Sequence, residues 1–511
     1  MPSAADSDSN NAATVATSVS PMHCDGSTLL NEQFQPSSAY SVSQYEITRL
    51  RLNIIKAFVG SAVLFLPSAF SNAGLIGAIV GLSAVAVISI LCMNLLIDCA
   101  TFMTKETTSA AQILNSEVWT VAPTYDAVVT SEETQQPKNI STESETQPPP
   151  PTVQHFDYGD VGQRAYGARG RQFVEISLVA SQLGFCCVYL NFIAVNLKEI
   201  MWTLSNCDIT LPAWGLILAQ MPFCIALSFV RDLEFFSLTN AIATFLITSG
   251  LFYIIGYCIY HLGTNGLAGL VEEDPPVGHG NVELGGVFLF KPMTFPLFAG
   301  SCIYAFEGIG LVLPLWTTTS EELRPRYKAV LNETIAGLLM FYLFIGTIGY
   351  LSFGDDVSAA VSSDLPHDSA FTILVQLGYC VALLFTYPLM LFPVIQVAEA
   401  RVMSSLPKAK PEESQKRMWQ RNGVRSAIVL FTGVLSILLG GSLDNLVALV
   451  GALCSLPLAF IYSSAFHDKI VGGHSTRDKT IAIFGVIAMI IATTFSIATW
   501  ENSDAADCPN R

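Results

Sequence analysis

Residues 60–67 read Gly60-Ser61-Ala62-Val63-Leu64-Phe65-Leu66-Pro67, and residues 304–314 read Tyr304-Ala305-Phe306-Glu307-Gly308-Ile309-Gly310-Leu311-Val312-Leu313-Pro314. Both lie inside long apolar runs. Each sets small residues in mid-run, follows them with a short apolar stretch and ends on a proline, which cannot donate a backbone hydrogen bond. Each run is therefore expected to break as a helix. Working outward, apolar runs fall at 52–70, 75–99, 173–198, 211–229, 235–261, 294–314, 328–352, 371–397, 424–441, 445–465 and 480–500. The two broken runs are the first and the sixth of about eleven. Five spans apart is the order of two related halves, and an odd number of spans per half makes them enter the membrane in opposite senses. Glycine and proline are also common in membrane helices simply because they permit close packing. For either run alone that reading is the simpler one; the matched pair argues for a repeat.

Composition agrees with membrane spans. Of the 511 residues, 51% are apolar and 13% are charged, against ~25% charged in soluble domains. A mean hydropathy of +0.49 points the same way. At roughly 20 residues per crossing, eleven spans account for about half the chain. The net charge of −16 carries no nucleic-acid footprint. Of the 12 cysteines, Cys92, Cys99, Cys186, Cys187, Cys224, Cys258, Cys302, Cys380 and Cys454 lie in or beside apolar runs with no CxxC spacing and read as small hydrophobes. The seven histidines fall outside the span interiors. No metal site or nucleophile–base pair is suggested, and no enzyme is expected.

Residues 1–48 are rich in Ser, Ala, Asn and Asp, lack Lys and Arg, and are expected to be a disordered tail. The stretch 103–170, with its prolines 148–151, reads as a disordered insertion within a 49–502 membrane domain, and 503–511 as a short tail. Sorting the 25 Lys and Arg between the faces that alternating spans create puts 21 on one side. By the positive-inside rule that side, with the N-terminus, is cytosolic. Lys198, Lys291 and Arg511 fall on the other, where Cys207 and Cys508 also lie; a bridge between them is an open alternative.

Unwound backbone at bilayer depth is tolerated where it lines a polar cavity, so the breaks imply a site at mid-membrane. The free N–H groups after Gly60, Ser61 and Ala62 suit a carboxylate; free carbonyls around Tyr304 to Glu307 suit an ammonium group or cation. A zwitterion fits both. Lys56 and Glu307 are the ionisable residues deepest in the spans, and pairing would lower the cost of burying them. Either they meet at the site, Glu307 as cation partner or proton carrier and Lys56 as its counter-ion, or they form a purely structural pair. Asp98 and Glu175 read as interfacial, as does Asp444 at the opposite face.

The run Asn53-Ile54-Ile55-Lys56 through Pro67 to Gly74, the run Gln182 to Tyr189, and Phe295-Pro296-Leu297-Phe298 through Tyr304 to Pro314 resemble the amino acid/auxin permease superfamily, in its branch of proton-coupled and vacuolar amino acid transporters. The resemblance covers about 48–500 apart from the insertion. It implies an all-α polytopic membrane protein with a LeuT-like 5+5 inverted repeat, discontinuous helices 1 and 6 and an eleventh helix. It further implies secondary active transport of small neutral amino acids by alternating access, as a proton- or sodium-coupled symporter without a cofactor, in a vacuolar, lysosomal or plasma membrane. Carried over by position, Gly60, Ser61 and Ala62 hold the carboxylate, Tyr304, Ala305, Glu307 and Gly308 face the amino group, and Phe306 gates. Asn53 stands where proton-coupled animal members have a histidine, so either proton coupling is absent or it has moved to Glu307, with Lys56, Asn53 and Glu307 as the coupling or gating positions. The loop at 353–370 lacks the cysteine some members pair with a residue like Cys207. An amino-acid sensor signalling through the tail or the insertion is the competing reading.

Overall fold

A computed structural model describes residues 44–120, 156–206, 208, 211–231, 233–266, 283–284, 287–366, 369–404, 414–473 and 475–500. Most of the tail, the middle of the insertion, Cys207, Cys508 and residues 503–511 lie outside them.

The first span is α1 (Gln44–Phe58), a 3-10 turn (Ser61–Phe65) and α2 (Leu66–Ala73), bent by 53° between α1 and the rest. Spans two to five are α3 (Leu75–Thr120), α4 (Tyr158–Ser205), α5 (Ala213–Phe229) and α6 (Leu233–Asn265). The sixth is broken again, into α7 (Phe295–Ala305) and α8 (Ile309–Thr317). Then follow α9 (Tyr327–Phe353), α10 (Ala370–Ser404), α11 (Ser414–Leu438), a span built from α12 (Leu443–Leu449), two π-helical segments and α13 (Ser463–Ile470), and α14 (Ser475–Ala498). All eleven expected runs coincide with helix. Among the described residues nine helices are long and apolar enough to cross a membrane, the bent first span makes ten, and α5 is a shorter apolar helix of 17 residues. Two five-span groups, each opened by a broken helix, with one helix to follow, is the order the sequence implies.

Two expectations need correction. The insertion is narrower than 103–170: α3 continues to Thr120, and α4 begins at Tyr158. A capping box at its start, with Asp157 accepting from the Asp160 N–H and Asp160 from the Asp157 N–H, satisfies two otherwise orphan donors. Helix also starts at Gln44, inside the expected tail. Among the described residues the helices are interrupted by one short hairpin, in which β1 (Glu283–Leu284) pairs antiparallel with β2 (Val287–Phe288).

That hairpin leads into a seal on its face of the bundle. The N–H groups of Ile76 and Gly77 donate to the Leu289 carbonyl at 3.0 and 3.2 Å, and the Lys291 N–H donates to the Ala73 carbonyl at 2.9 Å. Helix ends that would be unsatisfied in lipid thereby find partners. Between them Gly74 has φ +74°, and an added Cβ would lie 2.6 Å from the Phe290 amide nitrogen, so only glycine fits. The Lys291 ammonium pairs with Asp355 at 2.5 Å, which also accepts from the Tyr350 hydroxyl at 3.0 Å. Behind the site, α4, α5, α10 and α11 share a core of Cys186, Leu190, Leu216, Met221, Tyr387, Leu391 and Val429.

Candidate functional site

The break in the first span begins where α1 ends. Its last carbonyl, on Phe58, accepts from the Tyr342 hydroxyl of α9 at 2.9 Å, which replaces the bond that the missing turn would have supplied. Gly60 follows in extended geometry, and the 3-10 turn buries Ser61, Ala62, Val63, Leu64 and Phe65. The first N–H groups of a helical turn have no partner within it, so Ser61 and Ala62 present donors at the break.

The break in the sixth span brings Tyr304 and Ala305 to the same place. The Phe65 ring packs edge-on against Tyr304 at 6.1 Å between centroids and against Phe192 of α4 at 6.0 Å. Phe185 of α4 lies 4.7 Å from the Tyr304 ring. The Tyr189 and Tyr304 hydroxyls both lie beside Ser61. Phe306 is buried against Tyr342 at 5.4 Å. An added Cβ on Gly308 would stand 2.6 Å from the Phe58 ring, so here the two broken spans touch through a missing side chain.

Ser61, Ala62, Tyr304, Ala305 and Phe306 are all buried, the most accessible being Ala62 at 8%. The expected cavity is thus packed shut in this conformation rather than open. Two polar atoms are buried in it without a hydrogen-bond partner, the Tyr304 hydroxyl and Glu307 Oε2. A buried polar atom left unpaired costs about 1–3 kcal/mol, more for a charge, so such atoms mark places where a ligand or proton completes the chemistry. The Glu307 carboxylate lies against Ser455 and Ser181.

Lys56 does not meet it. The buried face of α1 is Leu50, Ile54 and Phe58, four residues apart, and Lys56 stands two residues from Ile54 on the other side of the helix. It is exposed, as is Asn53, and among the described residues it has no ion-pair partner. Lys56 and Glu307 are thus not paired in this structure, either as counter-ions or as a structural lock. Asp444 is not merely interfacial either: it accepts from Ser68 Oγ of α2 at 2.7 Å, tying α12 to the second half of the first span. Asp98 pairs with Lys328, and Glu175 with Arg171 at 2.8 Å and Arg401 at 3.5 Å, as befits span ends. A cleft of about 620 Å³ lined by Gln163, Arg171, Glu175 and Arg401 sits at those ion-paired ends, away from the breaks.

Four contributors escaped the sequence reading. Tyr189 stood in a quoted motif without a role; Ser181 and Ser455 are single hydroxyls in apolar helices, which carry no signal of their own. Glu199 at the far end of α4 accepts from Gln376 Nε2 at 2.9 Å, and Gln376 also donates to the Ser362 carbonyl at 3.1 Å, which locks the loop 357–365 over α4 and α10.

A helical bundle in which two broken spans meet defines the class of multi-pass membrane protein. The chain belongs to the family described as transmembrane amino acid transporter protein, whose model matches residues 44–112 and 146–499. It is 29% identical over 459 residues to a vacuolar amino acid transporter of Saccharomyces cerevisiae, covering 88% of this chain and 56% of that one. To an amino acid transporter of Arabidopsis thaliana it is 27% identical over 461 residues, covering 86% of this chain and 88% of the other. The chain thus spans little more than half the length of the yeast relatives it matches. Among solved structures, MhsT in complex with L-phenylalanine is matched with a TM-score of 0.42 at 12% identity over 89% of this chain and 99% of the other. The nucleobase-cation-symport-1 family transporter Mhp1 is matched with a TM-score of 0.45 at 12% identity over 88% and 91%.

Proposed function

We propose that the chain is a secondary active transporter that carries small neutral amino acids across a vacuolar or similar membrane by alternating access, coupled to protons. The observation that carries this reading is the meeting of two helix breaks around Ser61, Tyr304 and Glu307, with the Tyr304 hydroxyl and Glu307 Oε2 buried and unpartnered. The donors opening the 3-10 turn at Ser61 and Ala62 take the substrate carboxylate, with Gly60 leaving the approach clear. The carbonyls ending α7 at Tyr304 and Ala305, together with Glu307, take the ammonium group, and the bare backbone of Gly308 keeps the two spans in contact. Phe306 gates. The crowding of Phe65, Phe185 and Tyr304 favours a small side chain. With Lys56 and Asn53 turned outward, Glu307 carries the coupling. The basic residues sorted to one face favour a cytosolic N-terminus, and the yeast relatives' names favour the vacuole.

Purified protein in liposomes is expected to accumulate a small neutral amino acid under an imposed proton gradient and not under a sodium gradient alone. Absence of gradient-driven uptake of every amino acid offered overturns the reading; uptake driven by sodium overturns the coupling.

A further inference from the structure

Residues three and four apart stack on one side of a helix, which sets Leu178, Gln182, Phe185 and Tyr189 of α4 in one stripe. That stripe faces the sixth span. Leu178 packs on α8, its Cδ2 3.3 Å from where a Cβ on Gly310 would stand, and the Phe185 ring lies 4.7 Å from the ring of Tyr304. The adjoining flank of α4 belongs instead to the π-helical span, where Ser181 Oγ lies 3.5 Å from Ser455 Oγ.

The depth of Gln182 follows from the two contacts on either side of it. Leu178 precedes Phe185 in the chain whereas Gly310 follows Tyr304, so the two spans run antiparallel. Gln182 stands four residues after Leu178 and three before Phe185, and Glu307 stands three before Gly310 and three after Tyr304. The two side chains therefore leave their helices at one level. Each ends in an oxygen, Gln182 Oε1 and Glu307 Oε2, that is buried without a hydrogen-bond partner among the described residues.

An amide inside a membrane span ordinarily bonds a neighbouring helix. Gln220 and Asn94 do so, their nitrogens donating to the Leu190 carbonyl at 3.3 Å and to Asn332 Oδ1 at 3.0 Å. Their spare oxygens belong to packing struts. Gln182 Oε1 has no such explanation, and a buried acceptor left unpaired lowers stability until a donor reaches it. An ammonium group carries three N–H donors and suits two acceptors at once.

We propose that Gln182 is a further substrate-binding residue: its side-chain carbonyl accepts a hydrogen bond from the ammonium group of the amino acid while Glu307 accepts another from the sixth span. The inference rests on the transport reading above and deepens it. It also narrows the substrate class, because a ligand that engages both oxygens must bring at least two N–H donors on its nitrogen. Primary and secondary amino acids meet that condition; N,N-dialkylated ones do not.

The test uses the full-length protein in proteoliposomes and measures saturable binding of radiolabelled alanine and its displacement by N,N-dimethylalanine, which keeps both charges but has a single N–H. Gln182→Met, similar in length but with only a weak acceptor, is expected to bind alanine about tenfold more weakly and N,N-dimethylalanine nearly as before. The preference for alanine thus shrinks by the same factor. Gln182→Glu, which keeps an acceptor oxygen at the same reach, should preserve that preference. Wild-type alanine binding in Gln182→Met, or an equal loss of both ligands, overturns the proposal and leaves the transport reading standing. A wild-type protein that binds no amino acid defeats the transport reading and this proposal with it. Should Gln182→Met not fold, Gln182→Asn, whose carbonyl stops one methylene short, is expected to show a smaller loss biased the same way, and unchanged preference in it overturns the proposal.

Discussion

The breaks in the first and sixth spans come from similar stretches of sequence and do different work. At the first, polar chemistry rests on backbone donors and on Ser61. Gly60 there has φ −136° and ψ −151°, open to any residue, and nothing within 4 Å of where a Cβ would stand. At the sixth, the break carries a half-buried acid, and Gly308 is pressed on the Phe58 ring. One break offers a place; the other holds the charge and the contact between the halves. Similar sequence patterns thus specify an interrupted helix without specifying its job, which depends on what the other half brings.

The comparison predicts unequal consequences. The largest belongs to the acid: Glu307→Gln is expected to abolish proton-driven uptake in liposomes while the protein still inserts, and wild-type uptake would remove the charge from the sixth break. Next come the two glycines. Gly308→Ala must displace a buried ring and should cost about 1–3 kcal/mol in thermal unfolding of the detergent-solubilised protein, whereas Gly60→Ala should stay within about 0.5 kcal/mol. Equal losses would erase the distinction between the breaks.

A smaller effect belongs to the loop that covers the second half of the first span. Burial lifts the Asp364 carboxyl to about 6 from 3.8, against the opposing donation from Ser358 Oγ and N–H at 2.6 and 3.1 Å. Because the folded loop holds this proton more tightly than the unfolded chain does, the group's contribution is greatest in acid and falls as pH rises from 3.8 through about 6. Amides of 357–365 should therefore show larger protection factors, referenced to intrinsic exchange, near about pH 4 than near about pH 7, with the difference flattened in Asp364→Asn. The smallest effect is expected of Lys56→Met. With no partner lost, uptake and stability should hold near wild type, and a collapse of coupling would restore a role that its position on α1 denies it.

How far the site was legible follows from the kind of signal each residue leaves. Broken spans announce themselves, since glycine and proline in an apolar run mean the same thing locally wherever the helix packs. Glu307 announces itself too, because an acid in a span is costly. Lys56 satisfied the same criterion and misled. Whether a charged residue near a span end faces the interior depends on the buried stripe Leu50, Ile54 and Phe58, which becomes evident once α9 is seen against it. Ser181 and Ser455 left no mark, because a hydroxyl in a membrane helix ordinarily bonds its own backbone. The helical starts at Gln44 and Tyr158 were hidden by polar composition, although the capping box at Asp157 and Asp160 was there to be read.

The sequence by itself determined the solvent, the number of spans, the two interruptions and the presence of one expensive acid, since these follow from hydropathy and local backbone chemistry. Tertiary structure alone decided which charged residue is left without a partner, which glycine is a contact rather than a hinge, and which hydroxyls face Glu307. Those depend on helix rotation and on the register of the π-helical span, and neither is encoded in any single stretch of chain.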